Sequence, residues 1–387
     1  MSPKIVLEKV KELSLLCNYE NGAVVFVDDA NVEVVRKCTE LGDYSLLPPE
    51  MQLYLQECAF FSEPEDQLKQ AYVHITDRCN MNCKGCYSRT SSRNKTSDLS
   101  LEDIKKIFDQ LYKHRVAKIV FSGGEPFLRK DIYEILSCSK NYGFENVVIS
   151  NGSIAISDAV YSKIDTIAFS IDYLEDEYNS LGRRIHKDML LDNIQTARTQ
   201  GVDVGGIITI NSLNIDHVED YFRLSMEYQL PISFSIFYSS ENGCEPLLLR
   251  DDQLRKFIEK CQDSMSMLVE GFNDFDDIFC RNHCSIGCGN ISVDAHGNLT
   301  PCHILSDYKL GNLIDDSESA WANLNRFVEA LDFPDACKSC NYKVFCGGGC
   351  KARAYIAAGF EGKDPYCEMY QAYYEQQYKY IKTLIDT

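Results

Sequence analysis

Between residues 71 and 237, short β-rich apolar runs alternate with stretches in which apolar residues recur at helical spacing. AYVHIT (71–76), VAKIVFS (116–122), NVVIS (146–150), DTIAFSI (165–171), VDVGGIITI (202–210) and PISFSIF (231–237) have the length and β-branched content of buried strands. Between the first two, Leu101, Ile104, Ile107, Phe108 and Leu111 mark one helix face, and Ser100 with Asp103 resembles a helix-opening capping box. Six such βα units predict an α/β fold, a partial (β/α)6 barrel of the TIM type with helices outside. In barrels of that kind, chemistry gathers at the C-terminal strand ends.

The rhythm stops near residue 240, so three parts are expected. Residues 1–66 carry a strand pattern, GAVVFVD (22–28), and two helix patterns, ANVEVVRKCTEL and LPPEMQLYLQECAFF, before the linker SEPEDQ. This reads as a small α+β module. Residues 67–240 form the barrel, and 241–387 form a cysteine-rich region whose ISVDAHGNLTPCHI reads as a β-hairpin turning at His296, Gly297 and Asn298.

Composition excludes several function classes. With 39 basic against 58 acidic residues the net charge is −19, which opposes attraction to phosphate backbones and anionic membranes, so neither nucleic acid nor membrane is an expected partner. The opening MSPKIVLEKVKELSLLC interrupts its apolar residues with Lys and Glu, which is not a signal-peptide core. A cytoplasmic protein is expected.

Eighteen cysteines then demand a reason. A chain of this length with long helix and strand patterns is not a small disulfide scaffold, so metal ligation is the better reading. Cys79, Cys83 and Cys86 directly follow the first strand, as CxxxCxxC. Three local thiolates either find a fourth ligand elsewhere or leave one coordination position open. Strand two runs into Gly123, Gly124, Glu125 and Pro126, strand three into Asn151 and Gly152, and strand four into Ser170 and Asp172. Singly, these are ordinary turn formers; together they face one mouth, suited to a ligand with ammonium, carboxylate and ribose groups.

Farther on, Cys280, Cys284, Cys288 and Cys302 precede CKSCNYKVFCGGGC, which supplies Cys337, Cys340, Cys346 and Cys350, and Cys367 follows. Structural zinc is the competing reading for such CxxC pairs.

The triplet, the GGEP stretch and six βα units resemble the radical S-adenosylmethionine (SAM) enzymes. The resemblance implies a 4Fe-4S cluster on Cys79, Cys83 and Cys86, SAM chelated to its open iron, and reductive cleavage of SAM to a 5′-deoxyadenosyl radical. It carries the SAM-binding role onto Gly123, Gly124, Glu125 and Pro126, and onto Asn151, Ser170 and Asp172. Relatives often place an aromatic residue before the third cysteine, against adenine; here that position is Gly85, so the contact is expected from elsewhere, around Tyr87.

The later cysteines resemble the SPASM domain, which implies two auxiliary clusters and three 4Fe-4S clusters in all. One would use Cys337, Cys340, Cys346 and Cys367, and the other Cys284, Cys288, Cys302 and Cys350, with Cys280 competing for the place of Cys284 or Cys288. SPASM-containing relatives act mostly on peptides. A module ahead of the barrel is similar to leader-recognition domains, so a maturase of ribosomally made peptides, forming a thioether or carbon–carbon crosslink, is expected. Its implied partners are a precursor peptide with a leader and an electron donor such as flavodoxin or ferredoxin. The alternatives are a formylglycine-generating sulfatase maturase and a metal scaffold without turnover. No catalytic acid or base is selected by the spacing.

Overall fold

The computed structural model describes residues 5–62, 68–91, 93–172, 180–183, 186–262, 268–269, 280–281 and 283–385. All but Ser62 of the linker SEPEDQ lies outside them. The chain divides into two compact units, 1–66 with 273–284 and 332–387, and 67–272 with 285–331.

The first unit opens with an antiparallel sheet in the order β1 (Ile5–Val10), β2 (Leu13–Asn18), β3 (Val24–Val27). Only β3 was foreseen from the pattern. The β1–β2 hairpin turns at Lys11 and Glu12 with Lys11 at φ +53°, a left-handed turn without the usual Asn-Gly signature. The two expected helices span Val32–Leu41 and Pro49–Glu57. Leu16, Val25, Val35, Leu55 and Phe60 make one buried core between sheet and helices.

In the second unit, all six expected strands form: β4 (Gln70–Thr76), β5 (Lys118–Gly123), β6 (Glu145–Ser150), β7 (Thr166–Ser170), β8 (Asp203–Ile210) and β9 (Ile232–Ile236). They lie side by side in chain order, each parallel to the next. β10 (Leu268–Val269) adds beyond β9. On the other side β4 is flanked by the hairpin of β11 (Asn290–Val293) and β12 (Asn298–Thr300), then by β13 (Gly311–Asn312). Among the described residues the ten-stranded sheet is open, its end strands β10 and β13 not pairing with each other.

Strand alternation decides what faces the helices. Ala71, Val73 and Ile75 are buried on one face of β4, which leaves Tyr72, His74 and Thr76 on the other. On β5, Phe121 meets Phe108 of the helix Leu101–Lys113, ring centroids 6.2 Å apart. That helix starts as its sequence indicates, with Ser100 Oγ accepting from the Asp103 N–H at 3.1 Å. Phe234 of β9 likewise packs on Tyr221 and Phe257 of two later helices. The opposite face is left to polar and aromatic side chains, and these border the cysteine loop. Among the described residues no helix is long and apolar enough to cross a membrane.

Candidate active site

Strand β4 ends at Thr76, and the chain then folds into a polar loop that presents Cys79, Cys83 and Cys86, all half-buried. Side chains within the loop supply its hydrogen bonds. Asn94 clasps Cys79 from both sides: its Oδ1 accepts from the Cys79 N–H at 2.9 Å, and its Nδ2 donates to the Cys79 carbonyl at 3.1 Å. Arg89 donates to the Cys83 carbonyl. Arg93 reaches Cys86 Sγ at 3.6 Å and Ser88 Oγ at 2.9 Å. A hollow of about 670 Å³ opens beside Cys79, lined by polar and basic loop residues that include Asn82, Arg93 and Lys95.

The three thiols differ electrostatically. Burial raises the pKa of Cys79 and Cys83. Burial opposes ionisation of Cys86 too, yet the Arg93 guanidinium and Ser88 outweigh it and hold this thiol below its ordinary value. A soft thiolate donor set in partly charged surroundings fits an iron–sulfur cluster.

The double glycine after β5 exists because backbone meets backbone there. A Cβ on Gly124 would lie 1.9 Å from the Arg78 carbonyl oxygen, and one on Gly123, at φ +120°, 2.4 Å from that of Thr76. In return the Gly124 N–H donates to the Thr76 carbonyl and the Glu125 N–H to that of Arg78, both at 2.8 Å. These two N–H groups therefore anchor the entry to the cysteine loop.

Glu125 is 1% exposed. Its carboxylate accepts from Ser150 Oγ and the Asn151 N–H, both at 2.9 Å, and thereby joins the ends of β5 and β6. Burial nevertheless pushes its pKa up to about 7, because desolvation exceeds what those hydrogen bonds return. Asn151 Nδ2 donates to Asn80 Oδ1 at 3.0 Å, tying β6 to the cysteine loop. Ser170 ends β7, and Asp172 beyond it is fully buried, paired at 2.8 Å with Arg183.

Two site features were invisible in the sequence. Gly85 has φ +59°, and a Cβ there would lie 2.5 Å from the ring of Phe237, the residue after β9. Tyr87 instead meets Ser122 Oγ through its hydroxyl at 3.2 Å and the edge of His303 at 5.2 Å between centroids, while His303 stacks on Tyr72 at 4.1 Å. For the second, strand alternation gave a partial signal, because it puts Tyr72, His74 and Ser122 on one face.

In the other unit, Cys337, Cys340, Cys346 and Cys367 all line one cavity of about 50 Å³. Burial raises the pKa of Cys367, and the charge of Lys363 beside it opposes that rise in part. Gly347, Gly348 and Gly349 all take positive φ, and a Cβ on Gly349 would lie 2.8 Å from Asp364 Cβ. Asp364 is the hub of the segment: it pairs with the buried Arg353 at 3.0 Å and accepts from the Cys350 N–H at 2.6 Å. Cys284 lies near enough to Cys350 to raise its pKa, although burial is the larger cause. Cys280 goes elsewhere: it is buried against the Cys17 thiol of β2, and its N–H donates to the Gly22 carbonyl at 2.9 Å. Cys288 and Cys302 belong to the unit with the large sheet.

Residues 73–225 match the Radical SAM superfamily. GTP 3',8-cyclase of Clostridium botulinum (strain Okra / Type B1) is 24% identical over 66% of this chain and 88% of its own length. Fe-coproporphyrin III synthase of Methanosarcina barkeri is 24% identical over 78% of this chain and 89% of its own. Among solved structures, anSMEcpe with bound AdoMet superposes with TM-score 0.67 at 16% identity, covering 82% of this chain and 99% of that one. Streptococcus suis SuiB bound to precursor peptide SuiA superposes with TM-score 0.62 at 16% identity, covering 94% of this chain and 98% of that one.

Proposed function

We propose, from the match of residues 73–225 to the Radical SAM superfamily, that the chain is an enzyme of that superfamily and that it modifies a ribosomally made precursor peptide. Cys79, Cys83 and Cys86 would hold the 4Fe-4S cluster, which with SAM on its open iron supplies a 5′-deoxyadenosyl radical for hydrogen abstraction. Around it, Gly123, Gly124, Glu125 and Pro126 shape one wall of the SAM site, and Asn151, Ser170 and Asp172 the next. The adenine contact stays with the region of Tyr87, since Phe237 beside Gly85 is buried in a core cluster with Leu181 and Leu247.

Two auxiliary clusters belong to the proposal. The four cysteines lining one cavity support a cluster on Cys337, Cys340, Cys346 and Cys367. The set Cys284, Cys288, Cys302 and Cys350 rests on the sequence pattern, and the burial of Cys280 beside Cys17 favours Cys284 over it. A low-potential donor of the flavodoxin or ferredoxin class would supply the electron.

The observation that carries the peptide reading is coverage. The SuiB likeness takes in 94% of this chain, against 82% for anSMEcpe, so more of the chain has a counterpart in the fold of a peptide-bound maturase. Leader recognition by residues 1–66 is part of the proposal. The edge strand β1 and the helix Val32–Leu41 border a groove of about 510 Å³, lined by Leu7, Lys9, Arg36 and Thr39, which suits an extended peptide.

A sulfatase-maturase activity is the second reading, favoured by the higher TM-score of anSMEcpe. Anaerobic incubation of reconstituted enzyme with SAM, a strong reductant and short precursor peptides encoded beside its gene decides. Peptide-stimulated 5′-deoxyadenosine with loss of a hydrogen pair from the peptide is expected. Formylglycine formation in a sulfatase peptide, or turnover of a nucleotide or porphyrin alone, overturns the proposal.

A further inference from the structure

Asp172, expected as a cofactor contact, has surroundings that point to a further use. Its side chain is 0% exposed. Oδ1 accepts from Arg183 Nη1 at 2.8 Å, and among the described residues Oδ2 has no hydrogen-bond partner. Arg183 is itself held deep, with its side chain 16% exposed, and the Lys84 N–H donates to the Leu181 carbonyl at 2.9 Å, which fixes the segment that carries Arg183 against the loop at Cys83. Burial would lower the pKa of Arg183, but the charges of Asp172 and then Cys83 raise it. Thr209 Oγ1 on β8 lies 3.5 Å from its Nη2. A guanidinium keeps its charge under all physiological conditions, and its planar fork bonds two partners at once. The fixed cation is therefore held by a buried carboxylate beside the segment of the cysteine loop that carries Cys83.

We propose that Arg183 is a positioning residue, aimed by Asp172, whose charge on Cys83 raises the reduction potential of the cluster at Cys79, Cys83 and Cys86. The inference rests on the radical SAM domain but not on the peptide reading. The reduced cluster carries one more negative charge than the oxidised one, so a nearby cation in low dielectric stabilises the reduced form more. Asp172 acts through Arg183: it offsets the cost of burying the guanidinium and holds it beside the cysteine loop rather than in solvent. Cys79 and Cys86 are served by other groups, Asn94 and Arg93.

The test is an EPR-monitored redox titration of the reconstituted holoenzyme, without peptide, for wild type, Arg183→Met, Arg183→Lys and Asp172→Asn. Arg183→Met is expected to lower the reduced-to-oxidised ratio at a fixed potential about tenfold, equal to 59 mV for one electron. Asp172→Asn should shift it the same way by less, and Arg183→Lys should recover most of the wild-type value. Wild-type potentials in Arg183→Met and Asp172→Asn at full iron content overturn the proposal. If Arg183→Met loses its iron, Asp172→Asn decides, because it keeps shape and cation, and an unchanged potential there overturns it equally. A wild-type chain that assembles no cluster at the triplet overturns both this inference and the proposed cofactor, whereas peptide inactivity with the expected shifts overturns only the peptide reading.

Discussion

The Arg78 carbonyl oxygen lies 1.9 Å from the point where a Cβ of Gly124 would project. The second glycine of GGEP thus lets one strand end lie directly on the backbone entering the cysteine loop, and no side-chain rotation relieves the overlap. Gly124→Ala is expected to destabilise the fold by about 1–3 kcal/mol and to displace the loop. Thermal unfolding and iron content at the triplet measure the two effects; a variant with normal values for both contradicts this view of the motif.

Glu125 makes stability depend on pH. Its folded pKa, about 7, exceeds the ordinary 4.5, so its protonated form favours the folded state. The contribution is complete below pH 4.5 and is lost as pH rises towards 7 and past it, a change on the order of 3 kcal/mol. Glu125→Gln should remove that slope from urea midpoints measured across pH 4.5–7.5 without SAM. A cationic ligand against Glu125 would favour the carboxylate, so wild-type SAM binding should weaken from pH 8 to pH 6.

The Arg353–Asp364 pair is buried at both ends, with side chains 4% and 2% exposed. Asp364 also accepts from the Tyr366 N–H at 2.9 Å, and Arg353 donates to Tyr370 Oη at 2.9 Å. Asp364→Asn leaves a buried guanidinium short of its charge partner, and a loss of about 3–5 kcal/mol is expected in equilibrium unfolding. Lys338→Ala, at an exposed pair, should leave the unfolding midpoint almost unchanged.

Much of this architecture was legible because burial imposes periodicity. The six parallel strands stand within two residues of their apolar runs, and the hairpin of β11 and β12 turns through His296 and Gly297 as its composition indicates. The β1–β2 hairpin escaped because Lys and Glu punctuate it and its turn has no glycine. Pairings set only by tertiary closure escaped as well. Nothing local tells that Phe237 will fill the space beside Gly85, that Arg183 will return to Asp172, or that Cys280 will settle on Cys17.

That last placement separates the cysteines experimentally. Cys280→Ala should retain the full iron content of wild type, whereas Cys284→Ala should lose iron, as should Cys340→Ala and Cys367→Ala. Iron and sulfide per chain, with Mössbauer spectra, provide the count. Iron loss confined to Cys280→Ala would exchange the roles.

Leader recognition has its own test. Thr39→Trp should fill the groove between β1 and the helix Val32–Leu41 and weaken precursor binding at least about tenfold, the effect of 1.4 kcal/mol, in fluorescence anisotropy. Peptide-independent SAM cleavage should stay at the wild-type rate. Undiminished binding removes this groove from the proposal.

The strand leading into the cysteine loop, β4, has β5 on one side and β11 on the other, and β11 begins some two hundred residues later in the chain. During synthesis that flank waits bare until the hairpin emerges, a row of backbone donors and acceptors open to any stray strand. A polypeptide cut back to the six βα units would keep that wound permanently, so the cysteine-rich extension doubles as a seal and cannot be pruned from the catalytic half without inviting aggregation.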